Sequence, residues 1–204
     1  MIKAVIFDWG GVLIDNPALG LTAYCAGHLG VSEVRFGEAQ EKFEGEFQKG
    51  TISEDVFWER VCSELGVVKP NTRSLWGDAF RGVYSEKTRI FSLCSFLKDK
   101  GYRIGFLSNT ELPAVEYFHE QGYAIFDVTV FSCIEGTRKP ERRIYEIALE
   151  RLSLKPEETI FIDDRDDYIA GARTIGMNAI LFEDEEQVFT ELQSLLGHSL
   201  KKAS

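Results

Sequence analysis

The stretch Ile2-Lys3-Ala4-Val5-Ile6-Phe7-Asp8-Trp9-Gly10-Gly11-Val12-Leu13-Ile14-Asp15-Asn16 decides how the rest of the chain is read. Ala4 to Phe7 form a short apolar run, the pattern of a strand buried on both faces. The run ends at Asp8, which delivers a carboxylate to the carboxyl end of that strand. Ligands of open α/β sheets gather at that end. Gly10 and Gly11 follow at once, permitting a sharp turn and a close approach of backbone to an anion. Taken alone, the same residues also fit a plain role, with Asp8 closing a strand and the glycines turning the chain.

Downstream of Asp15-Asn16-Pro17 the strand pattern stops for about seventy residues. Phe36, Ala39, Phe43 and Phe47 recur at helical spacing, as do Phe57, Val61 and Leu65, then Leu75, Ala79, Phe80 and Val83. Ser32, Ser53 and Thr72 are the expected N-caps at the breaks between them. Four helices from about Ala18 to Tyr84 are expected, packed as a small antiparallel bundle whose Phe and Trp side chains serve as core.

From Ile90 the pattern alternates. A helix carrying Ile90, Leu93, Cys94 and Leu97 stops at Lys100-Gly101. A strand follows at Arg103–Leu107, then Ser108-Asn109-Thr110 and a helix opened by Pro113. Ile125 to Phe131 reads as another strand. Lys139 stands just before Pro140, which suits a first helical turn. Thr159–Ile162 is a buried strand ending on Asp163-Asp164, and the helix after it runs through Ile169 to Gly176. A strand at Ala179–Phe182 and a helix carrying Val188, Leu192, Leu195 and Leu196 complete the order, with Leu200–Ser204 a frayed tail. Such alternation predicts an α/β fold: a doubly wound parallel sheet, Rossmann-like, built from residues 1–16 and 86–204, with the helical segment 17–85 inserted after the first strand.

Composition narrows the partners. The 204 residues, 44% of them hydrophobic and 15 of them Phe, are enough for one sizeable globular core. A formal charge of −10 argues against general nucleic-acid binding, which needs basic surface. Cys25, Cys62, Cys94 and Cys133 form no CxxC pair, as expected of reduced cysteines in a cytoplasmic protein. No signal-like segment precedes Ile2 and no apolar run reaches membrane-spanning length, so no membrane partner is expected.

Three predicted strands end on polar groups: Asp8, Ser108-Asn109, and Asp163-Asp164. In a parallel sheet those ends share one edge, and Lys139 can point its ammonium there too. The set supplies a nucleophile or metal ligand, a hydroxyl and amide pair, a cation and a further pair of carboxylates. Each has a plain reading by itself: Ser108 as a helix cap, Lys139 as a solvated charge, the Asp pairs as an acidic first turn.

In this order FDWGGVL, LSNT, RKPERRIY and FIDDRDDYIAGA resemble the four signature motifs of the haloacid dehalogenase-like hydrolase superfamily, over essentially the whole chain. The helical insertion resembles that superfamily's cap. More narrowly, the glycine at Gly10, the SNT run and the KPE-RIY run resemble the alpha-D-glucose-1-phosphate phosphatase subgroup. The resemblance implies a hydrolase of small phosphorylated metabolites, a sugar 1-phosphate among them, with Mg²⁺ as cofactor. It makes Asp8 the nucleophile that forms an aspartyl-phosphate, and Lys139 the cation that neutralises both nucleophile and phosphate. Ser108 and Asn109, with Lys139, would hold phosphoryl oxygens. Asp8, the Gly10 carbonyl and Asp164 would hold the metal, with Asp163 beside them. Charge cancellation before attack and division of the reaction into two displacements agree with those roles.

Two departures stand out. Most phosphatases of the superfamily carry an acid–base Asp where this chain has Gly10, and a small polar residue is common where it has Arg165. Asp15 is the weak substitute for the missing acid, with hydrogen bonding to the turn as its plainer job, and His28, His119 and His198 show no metal-ligand spacing. Dehalogenases of the superfamily also lack the second Asp, so dehalogenation is one alternative, and a non-catalytic phosphate-binding regulatory protein is another. The pair Asp163-Asp164 favours the phosphatase, because dehalogenation has no need of Mg²⁺.

Overall fold

The computed structural model describes residues 1–197. Strands β1 (Ala4–Phe7), β2 (Arg103–Ser108), β3 (Val128–Phe131), β4 (Thr159–Asp163) and β5 (Asn178–Leu181) form one sheet in the order β3-β2-β1-β4-β5. Every neighbouring pair is parallel, with Phe7 opposite Phe106 on one side and Ile162 on the other. The expected doubly wound α/β core is the fold observed, with β1 at its centre. Because β1 is flanked on both sides and covered on both faces, all four of its residues are buried.

Between β1 and α5 (Thr88–Asp99) lie α1 (Ala18–Leu29), α2 (Glu33–Gln48), α3 (Glu54–Leu65) and α4 (Leu75–Val83). Ser32 and Ser53 accept the N–H groups of Arg35 and Val56, as their positions before α2 and α3 require. Before α4 the cap is Ser74, which accepts from the Gly77 N–H at 2.9 Å, and not Thr72. An N-cap must stand directly before the first helical residue, and Thr72 lies two positions too early.

The remaining helices are α6 (Leu112–Gln121), α7 (Ser132–Glu135), α8 (Arg142–Leu152), α9 (Asp166–Thr174) and α10 (Glu185–Leu196). Alternate strand residues divide the core into two layers. Val5, Phe7, Ile104, Phe106, Ile160 and Ile162 join one apolar cluster with Leu93 of α5, Phe118 of α6 and Val188 of α10. Ile6, Leu107 and Phe161 join the other, with Ile144 of α8 and Ile169 of α9. The first cluster continues without a break into Phe36, Phe47, Phe57 and Trp76 of the four-helix segment. Trp9 bridges the two parts, its ring 4.9 Å from Phe80 and 5.6 Å from Phe106.

Two further local expectations differ from the structure. Lys139 does not begin a helix: α8 starts at Arg142, and Lys139 lies in a loop whose Lys139–Pro140 bond is cis. The Glu141 N–H donates to the Arg138 carbonyl at 2.7 Å, closing a turn around the pair before the helix begins. The third strand spans only Val128–Phe131, because Ile125 and Phe126 pack as loop residues against the first cluster. Helix α7 has four residues, too few to show a period. The expected frayed tail at Leu200–Ser204 and His198 lie outside the described residues. Among those described, no helix is long and apolar enough to cross a membrane, and all four cysteines are free.

Candidate active site

The carboxyl ends of β1, β2 and β4 converge as parallel pairing requires. Asp8 follows β1 directly and is fixed by its N–H, which donates to the Ile162 carbonyl at 2.9 Å. Lys139 reaches in from the loop before α8 and is 1% exposed. Its Nζ donates to Asp8 Oδ1 at 2.6 Å, Asp163 Oδ2 at 2.5 Å and the Leu107 carbonyl at 3.3 Å, so all three of its protons are engaged. The ammonium also lies over the rings of Tyr168 (4.9 Å) and Phe161 (5.4 Å).

Burial weighs against each of these charges, and the neighbours decide the outcome. Burial pushes the Asp8 carboxyl well above the ordinary range; Lys139 opposes the rise and Asp163 adds to it. Asp163 is raised by burial in the same way, again against Lys139. For Lys139 burial favours the neutral amine, but the attraction of Asp163 and Asp8 together outweighs it and keeps the ammonium charged. Oxygens of Asp8, Asp163 and Asp164 lie within 4.8 Å of one another. Three carboxyl groups so close together present hard oxygens to one point, which suits a divalent cation. Asp163 has both oxygens engaged, Oδ2 by Lys139 and Oδ1 by the Arg165 N–H at 3.0 Å. Asp164 is half-buried and accepts from Asn16 Nδ2 at 3.2 Å.

Gly11 is what allows Asp164 to approach. Its φ is +90°, and a Cβ there would stand 2.1 Å from Asp164 Oδ2. Ser108, buried at the end of β2, keeps its hydroxyl almost free, with only a 3.4 Å contact to the Asn109 carbonyl. The Asn109 side chain is occupied: its Oδ1 accepts from the Lys139 N–H at 2.8 Å, and its Nδ2 donates to the Lys139 carbonyl and Tyr168 Oη, both at 3.0 Å. Asp15 points away from the site into an ion pair with Lys87 at 2.8 Å, whose hydrogen bond holds the Asp15 carboxyl below its ordinary range.

A cavity of about 210 Å³ opens above these groups, lined by Asp8, Gly10, Ser108, Asn109, Lys139 and Asp164 on the sheet side. Its opposite wall is α2, through Gln40, Glu44 and Gln48, with Trp76 and Phe80 of α4. Glu111 completes the rim, buried, and its Oε2 accepts from the Trp76 indole N–H at 2.9 Å. Burial pushes the Glu111 carboxyl up to about 7; Glu44 adds to the rise and the Trp76 bond opposes it. Sequence reasoning singled out Asp8, Gly10, Ser108, Asn109, Lys139, Asp163 and Asp164, and all lie in this one region. It missed Asn16, Tyr168, Glu111 and the α2 row. Of these, only Asn16 and Tyr168 carried a sequence signal, since both fall inside motifs already quoted.

A parallel sheet that ends on a buried carboxylate–lysine–carboxylate cluster places the chain among the haloacid dehalogenase-like hydrolases, the family that residues 2–176 match and to which it belongs. It is similar to the sesquiterpene phosphatase astK of Aspergillus oryzae, 30% identical over 198 residues, with 96% of this chain and 97% of that protein covered. Acyl-CoA dehydrogenase family member 10 of Mus musculus is 31% identical over 209 residues, which cover 97% of this chain but only 19% of that longer protein. Among solved structures, a HAD family enzyme from Bacteroides thetaiotaomicron, in complex with magnesium and inorganic phosphate, superposes with a TM-score of 0.73. That pair shares 23% identity over 93% of this chain and 100% of the other, a likeness of fold.

Proposed function

We propose that this chain is a Mg²⁺-dependent phosphatase of small phosphorylated metabolites that works through an aspartyl-phosphate on Asp8, and that a sugar 1-phosphate is its preferred substrate. The observation that carries the reading is the buried Asp8, held at 2.6 Å by Lys139 and within 4.8 Å of two further carboxylates. A nucleophilic carboxylate that must meet a phosphate dianion needs charge cancelled around it.

Asp8 Oδ1 is tethered by Lys139, and attack on phosphorus falls to its other oxygen. Ser108 offers its free hydroxyl to a phosphoryl oxygen. Asp8, Asp164 and the Gly10 carbonyl would hold Mg²⁺, with Asp163 supporting them through Lys139. When bound, the ion would neutralise phosphoryl oxygens. Water then cleaves the acyl-phosphate, returning Asp8 and releasing phosphate. The four helices 17–85 act as the cap over this edge, and the α2 row closes the leaving-group side. Engaged carboxylates around a hard-cation site support phosphate over halide chemistry.

Gly10 shapes the substrate preference. No carboxyl stands two residues after Asp8, and a Cβ at Gly10 would sit 3.0 Å from Pro17 Cδ, so the local packing is built without a side chain there. A positioned general acid contributes about 10²–10⁴-fold. Without one at that place, a substrate whose leaving oxygen is already acidic, such as an anomeric hydroxyl, is favoured over a simple alkoxide. The polar α2 wall likewise supports a hydrophilic leaving group over a terpene.

The test is a panel of phosphate monoesters and a 2-haloacid, with and without Mg²⁺. Phosphate release that requires Mg²⁺, with glucose 1-phosphate turned over faster than glucose 6-phosphate at saturation, is expected. Halide release without phosphate release would refute the phosphatase. Equal or faster turnover of the 6-phosphate would refute the sugar 1-phosphate preference alone.

A further inference from the structure

The segment Ser108-Asn109-Thr110-Glu111 runs from the end of β2 to the start of α6, and all of it lines the cavity that holds Asp8. Its last residue, Glu111, is buried, and the backbone around it is fixed. The Thr110 N–H donates to Ser132 Oγ at 2.9 Å, and the Glu111 carbonyl accepts the N–H groups of Ala114 and Val115 at 3.0 and 3.2 Å. The Glu111 carboxyl meets Trp76, whose indole N–H donates to Oε2 at 2.9 Å. Trp76 belongs to the wall opposite the sheet. Ser108 thus begins the segment beside Asp8, and Glu111 ends it against the wall that closes on the leaving group.

Among the described residues, Asp8, Glu44, Glu111 and Asp164 bring carboxyls to this cavity. In the phosphatase reading Asp8 attacks and Asp164 holds the metal. Glu44 accepts from Gln48 Nε2 at 3.2 Å, and Arg138 and Arg165 both favour its anion. Glu111 has different company: Trp76 of α4, Gln48 and Glu44 of α2, and the Cys133 thiol of α7, which burial keeps neutral. The charged member of that set is Glu44, which opposes a second anion. Burial and Glu44 raise the Glu111 carboxyl to about 7 against the bonds from Trp76 and Gln48, the range in which a group exchanges a proton at neutral pH.

We propose that Glu111 is the proton donor to the leaving oxygen, the role that Gly10 has no side chain to fill; this rests on the phosphatase reading above. Because Oε2 accepts from the indole, the proton is carried on Oε1. Asp8 bonds to phosphorus as the bond from phosphorus to the leaving oxygen breaks. The Glu111 proton passes to that oxygen, and the alcohol departs from a Glu111 carboxylate. A water then takes the alcohol's place. Glu111 removes one of its protons as the water oxygen bonds to phosphorus and the bond to Asp8 breaks. Glu111 ends as the acid it began as, and one ester and one water have become one alcohol and one phosphate. An anomeric leaving oxygen needs the proton least, so the sugar 1-phosphate preference is strongest above about pH 7, where Glu111 is ionised.

The experiment follows alcohol release in a single turnover, with the full chain in excess and Mg²⁺ saturating. The substrates are glucose 6-phosphate and p-nitrophenyl phosphate, whose leaving group needs no proton. Glu111→Gln keeps an acceptor for Trp76. It is expected to slow glucose release about 10²-fold or more and nitrophenol release about threefold at most. In the wild type the ratio of glucose to nitrophenol release is expected to fall about fivefold or more between about pH 6 and about pH 8, and in Glu111→Gln to stay level. Both substrates are read on one preparation, so partial unfolding cancels. A loss shared equally by the two substrates, a ratio unchanged by the variant, or a wild-type ratio that ignores pH would overturn the proposal and leave the phosphatase standing. Wild-type release of nitrophenol without glucose would do the same, because no proton would be reaching the alkoxide. Release of neither alcohol by the wild type would overturn the phosphatase reading and the proposal with it.

Discussion

Asn109 grips Lys139 by its main chain on both sides: Oδ1 takes the Lys139 N–H at 2.8 Å while Nδ2 gives to the Lys139 carbonyl at 3.0 Å. The loop that carries the Lys139 ammonium to the Asp8 and Asp163 carboxylates is thereby set from the end of β2. Asn109→Leu, similar in size and unable to make these bonds, is expected to lower kcat about tenfold or more with a smaller effect on KM. It should also cost about 1–3 kcal/mol of stability, from buried groups left unpaired. Steady-state kinetics with urea denaturation checks this; wild-type kcat in a destabilised protein would show that the clamp serves the fold alone.

Lys139 compensates two buried carboxylates at once. Lys139→Met leaves Asp8 and Asp163 without their counter-ion, at an expected cost of about 3–5 kcal/mol. Adding Asp163→Asn to that variant should recover part of the stability and none of the turnover. Asp8→Asn, by contrast, should fold and be inactive. Calorimetry beside phosphate release separates these outcomes, and substantial turnover by a folded Asp8→Asn protein would rule out covalent catalysis there.

Asp164 and Gly11 form a second coupled pair. Asp164→Ala is expected to raise the Mg²⁺ concentration needed for half-maximal activity about tenfold or more, the usual scale for disturbing a metal site. Gly11→Ala should do the same indirectly, because its Cβ would occupy the position of Asp164 Oδ2 and its φ of +90° disfavours any side chain. Mg²⁺ titration of initial rates is the measurement; a wild-type midpoint in Asp164→Ala would remove that residue from the ligand set.

Glu111 makes stability depend on pH in a defined direction. Its carboxyl is raised from the ordinary range to about 7 in the folded chain, so the folded state holds this proton more tightly than the unfolded state does. Its contribution is therefore greatest below about pH 4.5 and is lost as pH rises through about 7. Glu111→Gln keeps an acceptor for the Trp76 indole and cannot ionise. Relative to wild type it should gain stability on the order of 3 kcal/mol more at pH 8 than at pH 4.5. Chemical denaturation at both pH values checks the sign, and a gain confined to the acid side would contradict it.

How much of this was legible in the chain can be argued residue by residue. Asp8, Ser108 and Asp163 could be placed at one edge because each follows an apolar run, and parallel strands bring their carboxyl ends together whatever separates them in sequence. Ser32 and Ser53 could be placed because capping is local. Lys139 was read as the start of a helix because Pro140 follows it, yet the structure spends those residues on a loop that turns the ammonium inward. Nothing local distinguishes the two, since what holds the loop is Asn109, 30 residues away.

By itself the sequence determined the order of strands and helices, the carboxylates at the strand ends and the absence of a side chain at Gly10, all of which follow from runs, periods and residue identity. Only the tertiary structure decided that Asp164 would rest on Gly11 beside Asn16, 148 residues from its partner. It alone decided that Glu111 would be buried under Trp76 and that the Gln40–Glu44–Gln48 row would face Asp8. A helical period says which residues share a face; what that face meets depends on how α2 seats against the sheet, and that is set by contacts such as Ser132 with Gln48 between segments remote in the chain.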